Sequence, residues 1–114
     1  MQVHYLEIVT EDVDAVCGLY SAIHGVTFGD AGQSLGGART AKMPDGGMVG
    51  IRAPMHAGEK AVTRAYLLVA DIQTAVAAAE AAGAEIAVPP MEIPGHGTCA
   101  IYIRDGIEAG LWQL

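Results

Sequence analysis

The sequence predicts an α+β fold built from two tandem strand–helix–strand–strand–strand units, and three observations carry that expectation. First, residues 40–51 (TAKMPDGGMVGI) align with residues 100–111 (AIYIRDGIEAGL) at a constant offset of sixty, Asp45-Gly46 on Asp105-Gly106 and Gly50 on Gly110. An Asp-Gly between apolar runs signals a hairpin, because glycine takes the positive φ that the turn demands. Second, the β-like run Tyr5-Leu6-Glu7-Ile8-Val9 leads to Asp12, as Tyr66-Leu67-Leu68-Val69 leads to Asp71. Third, Val13, Val16, Cys17 and Tyr20 follow the first Asp at helical spacing, and Ile72, Ala75, Val76 and Ala79 follow the second.

The elements follow in order. A first strand over residues 5–9 ends before Asp12, whose side chain suits a helix N-cap. The helix stops at Gly25, where glycine ends a helix at little cost. A short strand over 26–28, a loop over 29–37 and a hairpin complete the first module, residues 1–53. A linker over 54–62, bracketed by Pro54 and Gly58, leads to the second module, residues 63–114. There the strand, a helix capped by Asp71 and closed by Gly83, and a short strand over 85–88 recur. Residues 89–97, with three prolines, read as a loop before the last hairpin.

A chain of 114 residues is one domain, since two independent cores of half that size would be marginal. Six basic residues against thirteen acidic ones give a net charge of −7, which lacks the cationic footprint nucleic acid requires. A mean hydropathy of +0.34 argues against disorder. No apolar run approaches a membrane span, and the first eleven residues carry Glu7 and Glu11 without a signal-peptide pattern. A soluble cytoplasmic protein is expected. Cys17 and Cys99 form no disulfide framework and read as reduced, buried thiols.

Together these landmarks resemble the vicinal oxygen chelate superfamily of glyoxalases, bleomycin-resistance proteins and extradiol dioxygenases. The resemblance rests on Glu7-Ile8-Val9 before Asp12 with Tyr20, on Tyr66-Leu67-Leu68-Val69 before Asp71, and on Ala81-Ala82-Gly83-Ala84-Glu85-Ile86. It extends through Ile93-Pro94-Gly95-His96-Gly97 and Asp105-Gly106 to Gly110-Leu111-Trp112-Gln113-Leu114. It implies that the two βαβββ modules form a cup-shaped curved mixed sheet. It further implies a homodimer and, in the family's enzymes, a divalent metal held by His or Gln on first strands and Glu on last strands.

The implied metal positions carry the wrong residues. Anchored on Asp12, the first-strand position is Tyr5. Its counterpart is Ala65 by the offset of sixty, or Arg64 by equal distance from Asp71. The last-strand positions are Gly50 and Gly110. Glycine and alanine offer no ligand atom, arginine repels a cation, and a catalytic site wants three protein ligands. A displaced set could use Glu7 and Glu108, but Thr63, Ala65, Leu67 and Val69 supply no histidine. No metal and no cofactor are therefore expected.

Strand alternation from Tyr5, Gly50 and Gly110 turns Val3, Glu7, Val9, Met48, Arg52, Glu108 and Trp112 inward. Even hairpin loops would add Arg39, Ala41, Met43, Cys99, Ile101 and Ile103. Odd loops would add Thr40, Lys42, Ala100 and Tyr102 instead. Gly50 and Gly110 leave room, which beside an aromatic wall reads as a ligand seat. Glu7 reads as a ligand anchor or as an ion-pair partner of Arg52 or Arg39. Trp112 reads as a stacking platform or as core. His96 sits in the proline-rich segment, able to exchange a proton. Cys99 lacks an evident base with an orienting third group.

The expected ligand-binding set is thus Tyr5, Glu7, Arg39, Met48, Arg52, His96, Cys99, Glu108 and Trp112, with no catalytic residue named. The expected function is metal-independent binding of a small organic molecule, without nucleic acid or membrane. One alternative is a metal-dependent lyase, isomerase or dioxygenase with a displaced site. The other is a non-catalytic interaction module.

Overall fold

Both helices begin where an aspartate accepts from the backbone. Asp12 caps α1 (Val13–His24) through Ala15 N at 3.3 Å, and Asp71 caps α2 (Ile72–Ala81) through Thr74 N at 3.1 Å. Gly25 closes α1 in the left-handed conformation, donating to the Ser21 carbonyl, as that residue's lack of a Cβ permits.

The computed structural model describes all 114 residues. Seven strands accompany the helices: β1 (Val3–Val9), β2 (Arg39–Lys42), β3 (Met48–Arg52), β4 (Val62–Leu68), β5 (Glu85–Ile93), β6 (Gly97–Arg104) and β7 (Ile107–Gln113). The fold is α+β with mixed strand pairing, as expected. The chain divides into two compact units. The first is Tyr5–Thr63; the second joins Met1–His4 to Arg64–Leu114.

In the first unit the strand order is β2-β3-β1, with β1 parallel and β2 antiparallel to β3. A parallel pair needs a crossover, which α1 supplies. Ile8, Val49, Ile51 and Ala41 face the helix and bury against Cys17, with Phe28 closing the same core. Burying side chains such as Val49 and Ile51 is worth about 1.5–3 kcal/mol each. Residues 26–28, expected as a strand, form no ladder. Gly29 N donates to Thr40 O, and a 3-10 turn over Gln33–Leu35 follows.

The second unit orders its strands β4-β7-β6-β5, with Gln2 O accepting from Leu68 N. Ile72 and Val76 of α2 bury against Ala100 and Leu111. The proline-rich segment corrects the sequence reading here. Residues 89–93 extend β5 rather than forming a loop, and only residues 94–96 turn. Pro89 and Pro90 fit because β5 is an edge strand whose register shifts between Val88 and Met91, so their missing N–H groups break no ladder.

Between equivalent strand pairs the hairpins differ by one residue: five residues separate Lys42 from Met48, and four separate Ile103 from Glu108. In the second unit Arg104 pairs with Ile107 around Asp105-Gly106, both at positive φ, a two-residue turn. In the first unit Lys42 pairs with Met48, leaving a five-residue loop. The extra residue makes Thr40 oppose Gly50 where Ile101 opposes Gly110, so facing flips between the two units.

Candidate functional site

Each unit carries one sheet face turned away from its helix. In the first unit that face holds Tyr5, Glu7, Met48, Gly50 and Arg52, with Thr40 and Lys42 opposite Gly50 and Met48. The odd loop puts Thr40 and Lys42 there. Arg39 is consequently corrected to the helix side, opposite Ile51, where it binds Asp14 at 3.0 Å and the Gly29 carbonyl at 2.9 Å.

The open space expected over Gly50 is filled. The Tyr5 phenol lies across the glycine, and a Cβ there would overlap its hydroxyl. Burial, then the Glu7 carboxylate, push the Tyr5 phenol well above its ordinary range. Its neutral form therefore persists, and the phenolate that would ligate a metal is disfavoured.

Glu7 answers the ion-pair reading. Arg52 Nε donates to its carboxylate at 2.9 Å, and the same guanidinium meets Glu59 with two parallel bonds of 2.8 Å each. The Arg52 and Glu7 side chains are 5% and 10% exposed. Glu59 also accepts from Met55 N at 2.7 Å. The Arg52 hydrogen bonds hold the Glu59 carboxyl down at about 2, and the two carboxylates raise Arg52. One buried cation thus ties the end of β3 to the connecting segment. Sequence reading missed Glu59, since nothing local marks a linker glutamate as the partner of a strand arginine seven residues back.

The second unit repeats the plan with other residues. Equal distance from the capping Asp gives the true register, so Arg64, not Ala65, stands where Tyr5 stands in the first unit. Tyr66 pairs with Gly110 and Leu68 with Trp112. Tyr66 covers Gly110 closely enough that a Cβ would overlap its ring. This second glycine is also corrected from open space to covered. Arg64 and Glu108 form an ion pair.

Trp112, 2% exposed, packs edge-on against Tyr66 at 5.6 Å and lies 5.4 Å from the His4 ring. Its Nε1 donates to the His96 carbonyl at 2.9 Å, fixing the 94–96 turn. Cys99 is buried opposite Trp112. Here the two-residue turn realises the even-loop alternative, with Cys99, Ile101 and Ile103 on this face. Burial, then His96, lower His4. A recess of about 580 Å³ opens beside His96, between Glu92 and Leu114.

Tested as metal donors, the residues at the family's positions do not fit. Tyr5 is held neutral, Gly50 and Gly110 have no side chain and lie under tyrosines, and Arg64 is a cation. No three His, Cys, Asp or Glu side chains converge on one point.

No protein-family model and no curated protein sequence matches the chain. Solved structures do share its fold. A hypothetical protein from Bacillus halodurans C-125 superposes with a TM-score of 0.76 at 10% identity, covering 99% of this chain and 94% of that one. Streptomyces coelicolor methylmalonyl-CoA epimerase in complex with 2-nitronate-propionyl-CoA gives 0.68 at 16% identity, covering 99% and 96%. Methylmalonyl-CoA epimerase from Mycobacterium tuberculosis gives 0.67 at 13%, covering 97% and 86%. At these identities the likeness shows a shared fold and says nothing of role. No helix is long and apolar enough to cross a membrane.

Proposed function

We propose that this chain is a vicinal-oxygen-chelate-like protein that binds a small organic molecule without a resident metal. One observation carries the reading. Both glycines at the last-strand metal positions lie under tyrosine rings, Tyr5 over Gly50 and Tyr66 over Gly110. Carboxylates there would need the space those rings occupy. In each unit by itself, the face turned from the helix sets buried rings beside fixed polar groups: Tyr5 with Glu7 and Arg52 in the first, Tyr66 and Trp112 with Glu108, and His96 nearby, in the second. That mixture suits a small organic ligand. Met48 and Cys99 border these surfaces, while Arg39 leaves the set because it faces the helix. The reading includes a homodimer, as the family resemblance implies, and a cytoplasmic location, with which two buried cysteines that form no disulfide agree.

The test has two arms. Equilibrium dialysis of the full chain against Mn²⁺, Co²⁺, Ni²⁺ and Zn²⁺, followed by metal analysis, is expected to retain no stoichiometric ion. One ion per chain, lost in Glu108→Gln or Glu7→Gln, overturns metal independence. A Trp112 fluorescence screen against small aromatic acids, thiols and propionyl-CoA is expected to yield a saturable response. A flat response throughout overturns the binding reading and favours the non-catalytic interaction module.

A further inference from the structure

The two units differ at the C-terminal end of their helices. In the second unit the Arg104 guanidinium lies over Gly83 and donates to the Ala82 carbonyl at 2.8 Å. A cation there meets the negative end of the α2 dipole and an otherwise unmet carbonyl. Tyr102, two residues before Arg104, packs on that unit's core.

Hairpin register assigns the counterparts. With Gly50 matched to Gly110, Lys42 (opposite Met48) matches Ile103 (opposite Glu108). Ala41 therefore stands for Tyr102 and Met43 for Arg104. The first unit has a short side chain where the second has a ring, and no cation where the second has a guanidinium.

A cleft of about 480 Å³ remains at that corner. Leu6, Val26, Met43 and Val49 give it an apolar lining. Tyr20 and His24, on the last two turns of α1 with ring centroids 5.6 Å apart, form one wall. Asp45 stands at the rim, and one of its oxygens accepts from Gly47 N at 3.3 Å. The helix C-terminus and the Asp45 carboxylate give the mouth a negative field, which favours a cation over an anion. The cleft lies on the helix side of the sheet, apart from the Tyr5–Gly50 face.

We infer that this cleft is a second binding site, for a small organic cation with an apolar stem: an alkyl or aryl amine or guanidine that takes the place Arg104 takes in the other repeat. The volume lies within the range of small-ligand pockets.

The test is amide chemical-shift mapping on the ¹⁵N-labelled full chain at pH 8, where imidazole is ordinarily neutral. The probes are n-butylguanidinium and phenethylammonium, with butylurea and 3-phenylpropionate as neutral and anionic counterparts. Both cations are expected to saturate, with shifts confined to residues 6, 20–26 and 43–49. Met43→Arg, which supplies the missing cation in cis, is expected to abolish binding. Asp45→Asn, at an exposed position, is expected to weaken the cations by about two- to fivefold and leave butylurea unaffected. Thermal melts establish that both variants fold; should Met43→Arg fail to, Asp45→Asn and the counterpart probes still decide. The proposal is overturned if 3-phenylpropionate binds as well as phenethylammonium, if shifts fall elsewhere, or if binding survives in folded Met43→Arg. Shifts at the same amides on raising protein concentration alone also overturn it, because the occupant is then a second copy of the chain.

Discussion

Arg52 and Trp112 stand at the same place in the two repeats, two residues beyond the glycine that a tyrosine covers. Both are buried, and both reach from the last strand to a connecting segment. Arg52 does so with charge, gripping Glu7 within the sheet and Glu59 in the linker. Trp112 does so with area, packing on Tyr66 and donating one hydrogen bond to the His96 carbonyl. The position requires a long side chain with a donor at its tip. In the first unit two carboxylates offset the desolvation of the cation that stands there.

The sharpest way to break this comparison is to remove the charge without removing the bulk. Arg52→Met leaves Glu7 buried without its partner and is expected to cost about 3–5 kcal/mol in urea unfolding. Trp112→Phe loses one hydrogen bond and part of a ring, and is expected to cost clearly less. Equal losses would show that the ionic network contributes no more than the aromatic one.

Next in size is the glycine pair. Gly50→Ala and Gly110→Ala each overpack a buried face, at about 1–3 kcal/mol. They are expected to differ. At Gly50 the nearest obstacle is the Tyr5 hydroxyl, which a substitution can remove, whereas at Gly110 it is the Tyr66 ring itself. Gly110→Ala should therefore lower the melting temperature more, and Tyr5→Phe should recover part of the loss in Gly50→Ala. A larger effect at Gly50 would contradict this geometry.

The smallest effect concerns Glu59. Its folded carboxyl is depressed to about 2, below the unfolded value near 4.3. A depressed carboxylate contributes stability above the unfolded value and loses it as pH falls toward the folded one. Glu59→Gln is expected to cost about 1 kcal/mol at neutral pH. It should also flatten the decline in stability between about pH 5 and 2. An unchanged acid limb would show that Glu59 is not the group being titrated there.

The duplicated plan was legible because its markers are local: a capping Asp, a helix-ending Gly and an Asp-Gly turn each act within a few residues. Facing was only half legible. The extra residue in the first hairpin turns Thr40 and Lys42 to the face that Ile101 and Ile103 take in the second, and loop parity is invisible until the strands are paired. The tyrosines over Gly50 and Gly110 were hidden for the same reason, since each contact joins strands about forty-five residues apart. Ala65 and Arg64 stayed alternatives because the offset of sixty and the distance to the capping Asp disagree by one residue, and only the strand pairing decides between them. The reading of residues 89–97 as loop failed because prolines are compatible with a strand whose edge no neighbour needs.

That last property has a consequence for how the protein behaves at high concentration. An unpaired strand edge is a template on which another chain can add, and nine consecutive extended residues would make a long one. Pro89 and Pro90 remove two amide donors from the middle of β5, and the irregular register there bends it. A strand arriving from another molecule would find its ladder interrupted halfway, so Pro89 and Pro90 disfavour growth toward a fibril at this edge.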